Sequence, residues 1–130
     1  MIRILMVATE KEPMGTIGEM IASRGDYTLV YADSAERALG LAEETAYELV
    51  IADERIGEKS ALVFAEDLTR VNPMINCAVV SGLGHEEFHE ASEGLGVLYQ
   101  LKPVPEAKEV GELLTRLSAV LGMTARTDEA

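Results

Sequence analysis

The chain has 130 residues, enough for one domain at roughly 150 residues each. Its 48% apolar and 26% charged residues exclude a disordered or fibrous chain. Twenty-three acidic against eleven basic side chains leave a net charge of −12, which repels phosphate backbones and anionic membranes, so neither nucleic acid nor membrane is expected as a partner.

Two kinds of segment alternate along the chain. Residues 2–8 form a short β-branched, apolar run that suits a buried strand. Met14, Ile17 and Ile21 follow at helical spacing, with Pro13 placed for a first turn. A second strand is predicted over 27–31. The stripe Ala35, Ala38, Leu39, Ala42 and Ala46 comes next, with Ser34 as its N-cap. Residues 48–52 make a third strand. Leu62, Ala65, Leu68 and Val71 mark a third helix, which should stop at Asn72 before Pro73. A fourth strand is predicted over 75–81 and a weaker helical stripe at Phe88, Ala91 and Leu95. The last pair is a strand over 97–101 and the clearest amphipathic pattern of all, Val110, Leu113, Leu114, Leu117 and Leu121, with Pro105 as its expected first-turn proline.

This strand–helix alternation predicts an α/β fold: a parallel sheet with right-handed crossovers and helices on both faces. Residues 1–122 form the expected domain and 123–130 a polar, flexible tail. Cys77 is the only cysteine and lies among apolar neighbours, which predicts a buried thiol in a reducing, cytoplasmic setting. No apolar run is long enough to span a bilayer, and Met1 to Ala8 is too short for a secretory signal.

In an open parallel sheet, functional groups gather beyond the carboxyl ends of the strands. Those ends carry Ala8-Thr9-Glu10, Asp33, Asp53, Ser81-Gly82 and Lys102-Pro103. Asp33 suits a turn before the second helix. Asp53, Ser81 and Lys102 together offer a carboxylate, a hydroxyl and an ammonium on three different strands. A carboxylate can accept a phosphoryl group, a hydroxyl can bond its oxygens, and a lysine can neutralise the charge that accumulates.

With these residues in this order, the chain resembles the CheY-like receiver domains of two-component response regulators. The segment Leu49-Val50-Ile51-Ala52-Asp53-Glu54-Arg55-Ile56 is similar to the family's phosphoacceptor strand, Ser81-Gly82 to its switch hydroxyl and small residue, and Lys102-Pro103 to its lysine-proline pair. The resemblance implies a flavodoxin-like three-layer sandwich with strand order 2-1-3-4-5. It implies a non-enzymatic signalling role in a phosphorelay, with Asp53 accepting a phosphoryl group from a sensor histidine kinase or phosphotransfer protein. Ser81 and Tyr99 would be the switch residues and Lys102 the phosphoryl contact. A cis bond at Lys102–Pro103 and a downstream partner on the fourth-helix to fifth-helix face are implied as well, with a homodimer as a further expected partner.

One departure from the family bears on its chemistry. The family holds Mg²⁺ with two adjacent acidic residues at the end of its first strand, where this chain has Ala8 and Thr9, then Glu10. Gly57 and Ala61 also replace a common proline and glycine. Mg²⁺ requires hard oxygen ligands in near-octahedral geometry. Each missing carboxylate about 4 Å from the ion removes roughly 8 kcal/mol of gross Coulomb attraction at an effective dielectric near 20, partly offset by desolvation. Asp53, Glu10 and Arg55 remain as the residual set for a weak or absent Mg²⁺ site. Two readings stay open: a phosphoacceptor with a weakened metal site, and a pseudo-receiver that binds proteins without phosphorylation. With the acidic pair missing, a direct Asp53–Lys102 ion pair is expected.

His85-Glu86-Glu87-Phe88-His89 fits H-E-x-x-H, which places two zinc-ligating imidazoles on one helix face. A zinc hydrolase also needs a third ligand and a sheltered cleft, so this is a remote alternative, against a solvated helix face. Gly82-Leu83-Gly84 lacks the third glycine of a dinucleotide fingerprint and follows the wrong strand.

Overall fold

The computed structural model describes residues 2–122; the tail expected over 123–130 lies outside the described residues. The elements run β1 (Ile2–Val7), α1 (Lys11–Ala22), β2 (Tyr27–Ala32), α2 (Ala35–Glu44), β3 (Leu49–Ala52), β4 (Arg55–Ile56), β5 (Lys59–Ser60), α3 (Ala61–Val71), β6 (Asn76–Val80), α4 (His85–Ser92), β7 (Val97–Leu101) and α5 (Ala107–Leu121). The main sheet has five strands in the order β2-β1-β3-β6-β7, all parallel. Counting its strands alone, that is the expected 2-1-3-4-5.

The apolar runs became strands because both sheet faces are covered. Alternate residues of β1 and β3 point to opposite sides. Leu5, Val7, Val50 and Ala52 pack with Cys77, Val79, Ala38, Phe64, Leu68 and Phe88 on the α2–α3–α4 side. Ile4, Met6, Leu49 and Ile51 pack with Val80, Leu101, Met14, Ile17, Ile21, Leu113 and Leu117 on the α1–α5 side. Burial pushes the Cys77 thiol up to about 12, so it stays protonated and serves as packing.

The helix starts follow local chemistry. Ser34 caps α2 by accepting from the Arg37 N–H at 3.1 Å, as expected. Ser60 does the same for α3 with the Val63 N–H at 3.2 Å. Pro13 falls in the first turn of α1, but Pro105 lies before Glu106, the N-cap of α5, and so outside the helix. There the Glu109 carboxylate accepts from the Glu106 N–H at 3.0 Å and fixes the start one residue later.

Two predicted stripes overran. Ala46 lies beyond α2 and is exposed, because Thr45 already takes extended backbone. Leu95 lies beyond α4, between Gly94 and Gly96, both at positive φ (81° and 69°), where the chain turns into β7. Leu121 still ends α5, and Gly122 closes that helix in the left-handed conformation. The antiparallel ribbon β4–β5 was not foreseen. It pairs Arg55 with Ser60 and Ile56 with Lys59 around Gly57, whose φ of 64° suits a residue without a side chain.

Candidate functional site

The parallel register sets the site. The last bonded pairs are Val7 with Ala52, Ala52 with Val79, and Val80 with Leu101. One step further along each strand, the chain places Ala8, Asp53, Ser81 and Lys102 at four adjacent strand ends, with Ser81 and Lys102 one residue beyond the level of Ala8 and Asp53. The row is held by N–H donation from Ala8 to the Ala32 carbonyl (3.1 Å), from Asp53 to that of Val7 (2.9 Å) and from Ser81 to that of Leu101 (2.9 Å). Adjacent strands lie about 4.8 Å apart, so the Asp53 and Lys102 backbones are roughly 10 Å from each other.

Asp53 is half-buried, and its Oδ1 accepts from the neighbouring Glu54 N–H at 2.8 Å. Glu54 reaches across to β6, where its Oε2 accepts from the Gly82 N–H at 2.7 Å. Ser81 is buried, and its Oγ accepts from the Leu83 N–H at 3.2 Å. Gln100, the polar residue within β7, donates from Nε2 to the carbonyls of Ser81 (3.1 Å) and Leu83 (2.9 Å) and so fixes the β6–α4 loop. Ser81 and Lys102 line one open groove of about 710 Å³ with Pro103, Val104 and Tyr99; Asp53 does not line it.

The expected Asp53–Lys102 ion pair is not formed: no carboxylate among the described residues lies within 4.0 Å of the Lys102 ammonium, and Lys102 is exposed. The cause is the separation of two strand spacings, with the Glu54 carboxylate against Gly82 in between. Closing that gap would also desolvate an ammonium that water already serves. The Lys102–Pro103 peptide is trans, since the described residues contain no cis bond; the trans form is the default for X–Pro bonds unless packing enforces the other.

The residues left for Mg²⁺ do not assemble around Asp53. Ala8 stands beside it and offers no ligand. The Thr9 Oγ1 accepts from the Gly57 N–H at 2.9 Å, which ties the β1–α1 loop to the β4–β5 turn. Glu10 is exposed at the N-cap position of α1, and the Arg55 guanidinium turns to the Glu58 carbonyl at 2.9 Å. Among the described residues, no group of three or more His, Cys, Asp or Glu side chains is arranged to hold a metal ion. The donor set therefore does not fit the divalent cation that the resemblance implies. The same finding leaves His85 and His89 without a third ligand on the exposed helix α4, with Glu86 beside them.

Tyr99 packs against the α1–α5 core from β7, but its hydroxyl is held outside. It donates to Glu112 Oε2 at 2.7 Å, and the Arg116 guanidinium lies 5.0 Å above the ring. Burial, then the bond to Glu112 and the negative charge there, push the phenol up to about 12. This placement depends on a one-residue slip: Cys77 pairs with Val97, whereas Ala78 pairs with Tyr99, which leaves Leu98 as the extra residue. Glu54, Gln100, Glu112 and Arg116 were all missed as site residues. Gln100 alone carried a signal, as the one polar residue inside an otherwise apolar strand.

No protein-family model matches the sequence, and no curated protein does. Solved structures match in shape. A Burkholderia thailandensis protein provisionally assigned to pilus assembly (cpaE) is 19% identical, with a TM-score of 0.77 over 92% of this chain and 99% of that one. A response regulator receiver domain protein of Clostridium thermocellum is 14% identical, with a TM-score of 0.78 and full coverage of both chains (100%). The chemotaxis response regulator CheY4 of Vibrio cholerae is 14% identical, with a TM-score of 0.78 over 90% of this chain and 98% of that one. With sheet order, strand-end row and neighbours in agreement, the chain has the fold of the CheY-like receiver domains of two-component response regulators.

Proposed function

We propose that this domain is a pseudo-receiver: a signalling module on the receiver scaffold that binds protein partners without needing a phosphoryl group on Asp53. The observation that carries this reading is the Mg²⁺ misfit, with Ala8 beside Asp53 and the Thr9 hydroxyl taken up by the Gly57 N–H. In-line phosphoryl transfer relies on a metal to neutralise charge on the transferred group, and here only the Asp53 carboxylate is offered to one. The module has no turnover of its own and acts in the cytoplasm; no helix among the described residues is long and apolar enough to cross a membrane. Its downstream partner reads the face of α4, β7 and α5, where Tyr99 is fixed outward by Glu112 and Arg116.

A second reading is supported by the strand ends: Asp53, Ser81 and Lys102 follow three adjacent strands, the order in which the resemblance implies a phosphoacceptor, its hydroxyl and its lysine. In that reading a histidine kinase or phosphotransfer protein phosphorylates Asp53 at a weak Mg²⁺ site. The two are separated by incubating the protein with MgCl₂ and acetyl phosphate and measuring intact mass. The pseudo-receiver reading expects no phosphate increment in the wild type. An increment abolished by Asp53→Asn overturns it and establishes the phosphoacceptor.

A further inference from the structure

The molecule carries about two acidic side chains for each basic one, yet one surface has the opposite sign. Arg24, Lys108 and Arg116 converge on a single open groove of about 510 Å³ between the end of α1 and the outer face of α5, completed by Gly111, Glu112 and Thr115. All three cations are exposed, and no carboxylate among the described residues lies within 4.0 Å of any of them. Among the other described cations, Lys59 pairs with Asp67 at 2.7 Å and Arg70 with Glu66 at 3.0 Å, while Lys102 is unpaired like the three here but does not line this groove. The one acid in the groove, Glu112, already accepts from the Tyr99 hydroxyl.

The groove is also built rather than incidental. Arg24 Nη2 donates to the Ala107 carbonyl at 2.9 Å, which holds the guanidinium across α5. It lies over Gly111, where an added Cβ would come within 2.9 Å of the guanidinium carbon. A glycine inside a helix costs about 1 kcal/mol relative to alanine, and here its bare backbone is the seat of the arginine. Four of the five N–H donors of that planar fork remain. On the other side of the seat, Arg116 is steadied by the Tyr99 ring. Val120, one helical turn further along α5, is an exposed apolar residue beside this face.

We propose that this groove docks an acidic peptide segment of a protein partner, with carboxylates bridging Arg24 to Lys108 and Arg116. A guanidinium fork suits carboxylates in bidentate geometry. Screening over about 8 Å at physiological ionic strength lets a short segment feel the groove and little else. A nucleic-acid duplex or a bilayer would meet the surrounding acidic surface as well, under the net charge of −12. The inference rests on reading the chain as an interaction module. Its test is separable, because it reads α5 and never Asp53.

The probe is a fluorescein-labelled octaglutamate peptide, followed by anisotropy with octalysine as control, and by amide chemical shifts of the full chain. Octaglutamate binds saturably, shifts the Gly111 and Thr115 amides, and weakens as ionic strength rises. Arg24→Gln with Lys108→Gln lowers affinity at least about fivefold, the scale of exposed ion pairs. Gly111→Ala lifts the guanidinium from its seat and weakens binding while helix propensity rises, so loss of binding there is no folding defect. Octaglutamate that fails to bind, binds both variants like the wild type, or shifts only α4 overturns the proposal. So does sedimentation with phosphatidylserine vesicles through the same residues, or self-association that shifts the same amides without peptide.

Discussion

Replacing Ala8 by aspartate should give the domain a stability that depends on Mg²⁺. Ala8 is one strand from Asp53 in register and only 9% exposed. A carboxylate placed there lies about 5 Å from that of Asp53, and two such charges repel by about 3 kcal/mol at an effective dielectric of 20. Asp53 is half-exposed, so solvent reduces this to about 1–2 kcal/mol, to which desolvation of the new carboxylate adds. In urea that is a midpoint lower by about 1 M. Two carboxylates are also a common protein contribution to a Mg²⁺ site. Once the ion stands at a hundredfold excess over its dissociation constant, binding returns about 2.7 kcal/mol. The assay is urea unfolding in MgCl₂ against NaCl of matched ionic strength. Ala8→Asp should be destabilised in NaCl and recover in MgCl₂, and the wild type should not distinguish the salts. A variant indifferent to Mg²⁺, or a wild type specifically stabilised by it, would refute the account of the site.

Phe64 is fully buried on the α2–α3–α4 side, so Phe64→Ala should cost about 3–5 kcal/mol, read as a fall in the urea midpoint. Glu54→Ala removes the charge-assisted bond to the Gly82 N–H, which at this exposed position is worth about 1 kcal/mol; hydrogen exchange at Gly82 should speed up, and Glu54→Gln should restore most of the protection. The Tyr99 phenol, pushed up to about 12 from 10, should ionise late in an absorbance titration, and Glu112→Gln should bring it down. Because the folded value is raised, the stability linked to this proton is complete below pH 10 and is lost as pH climbs from 10 towards 12; Tyr99→Phe should remove that loss.

The central strand cores were legible because burial on both faces demands unbroken apolar runs, and 49–52 hardly admits another reading. The site row was legible for the same reason: once strand ends are known, the parallel sheet brings Asp53, Ser81 and Lys102 to three adjacent ends, offset by one residue. Side-chain pairing across that row was not legible. Opposite charge suggested Asp53 with Lys102, but reach and hydration decided against it, and Glu54, one residue further on, made the cross-strand bond instead. The β4–β5 ribbon is two residues per strand, too short for any period to show. The outward lock on Tyr99 depends on the slip at Leu98, which a sequence pattern does not encode.

Ala8 links the fold to the misfit between this strand-end row and Mg²⁺. It belongs to the apolar cluster shared with Met14, Ile17 and Leu101, so its methyl group is core rather than rim. An acidic residue at that position sets a buried charge beside Asp53, a cost recovered only when a cation binds. Alanine removes the repulsion and adds apolar contact in the same step. A domain whose task is to present one fixed surface gains from that exchange, since nothing at Asp53 then needs a ligand to be stable. The outward bond of Tyr99 to Glu112 acts in the same direction on the far side of β7, where α5 rather than a phosphoryl group holds the ring. Scaffold and surface are both stabilised without Mg²⁺, as the proposed phosphorylation-independent module requires.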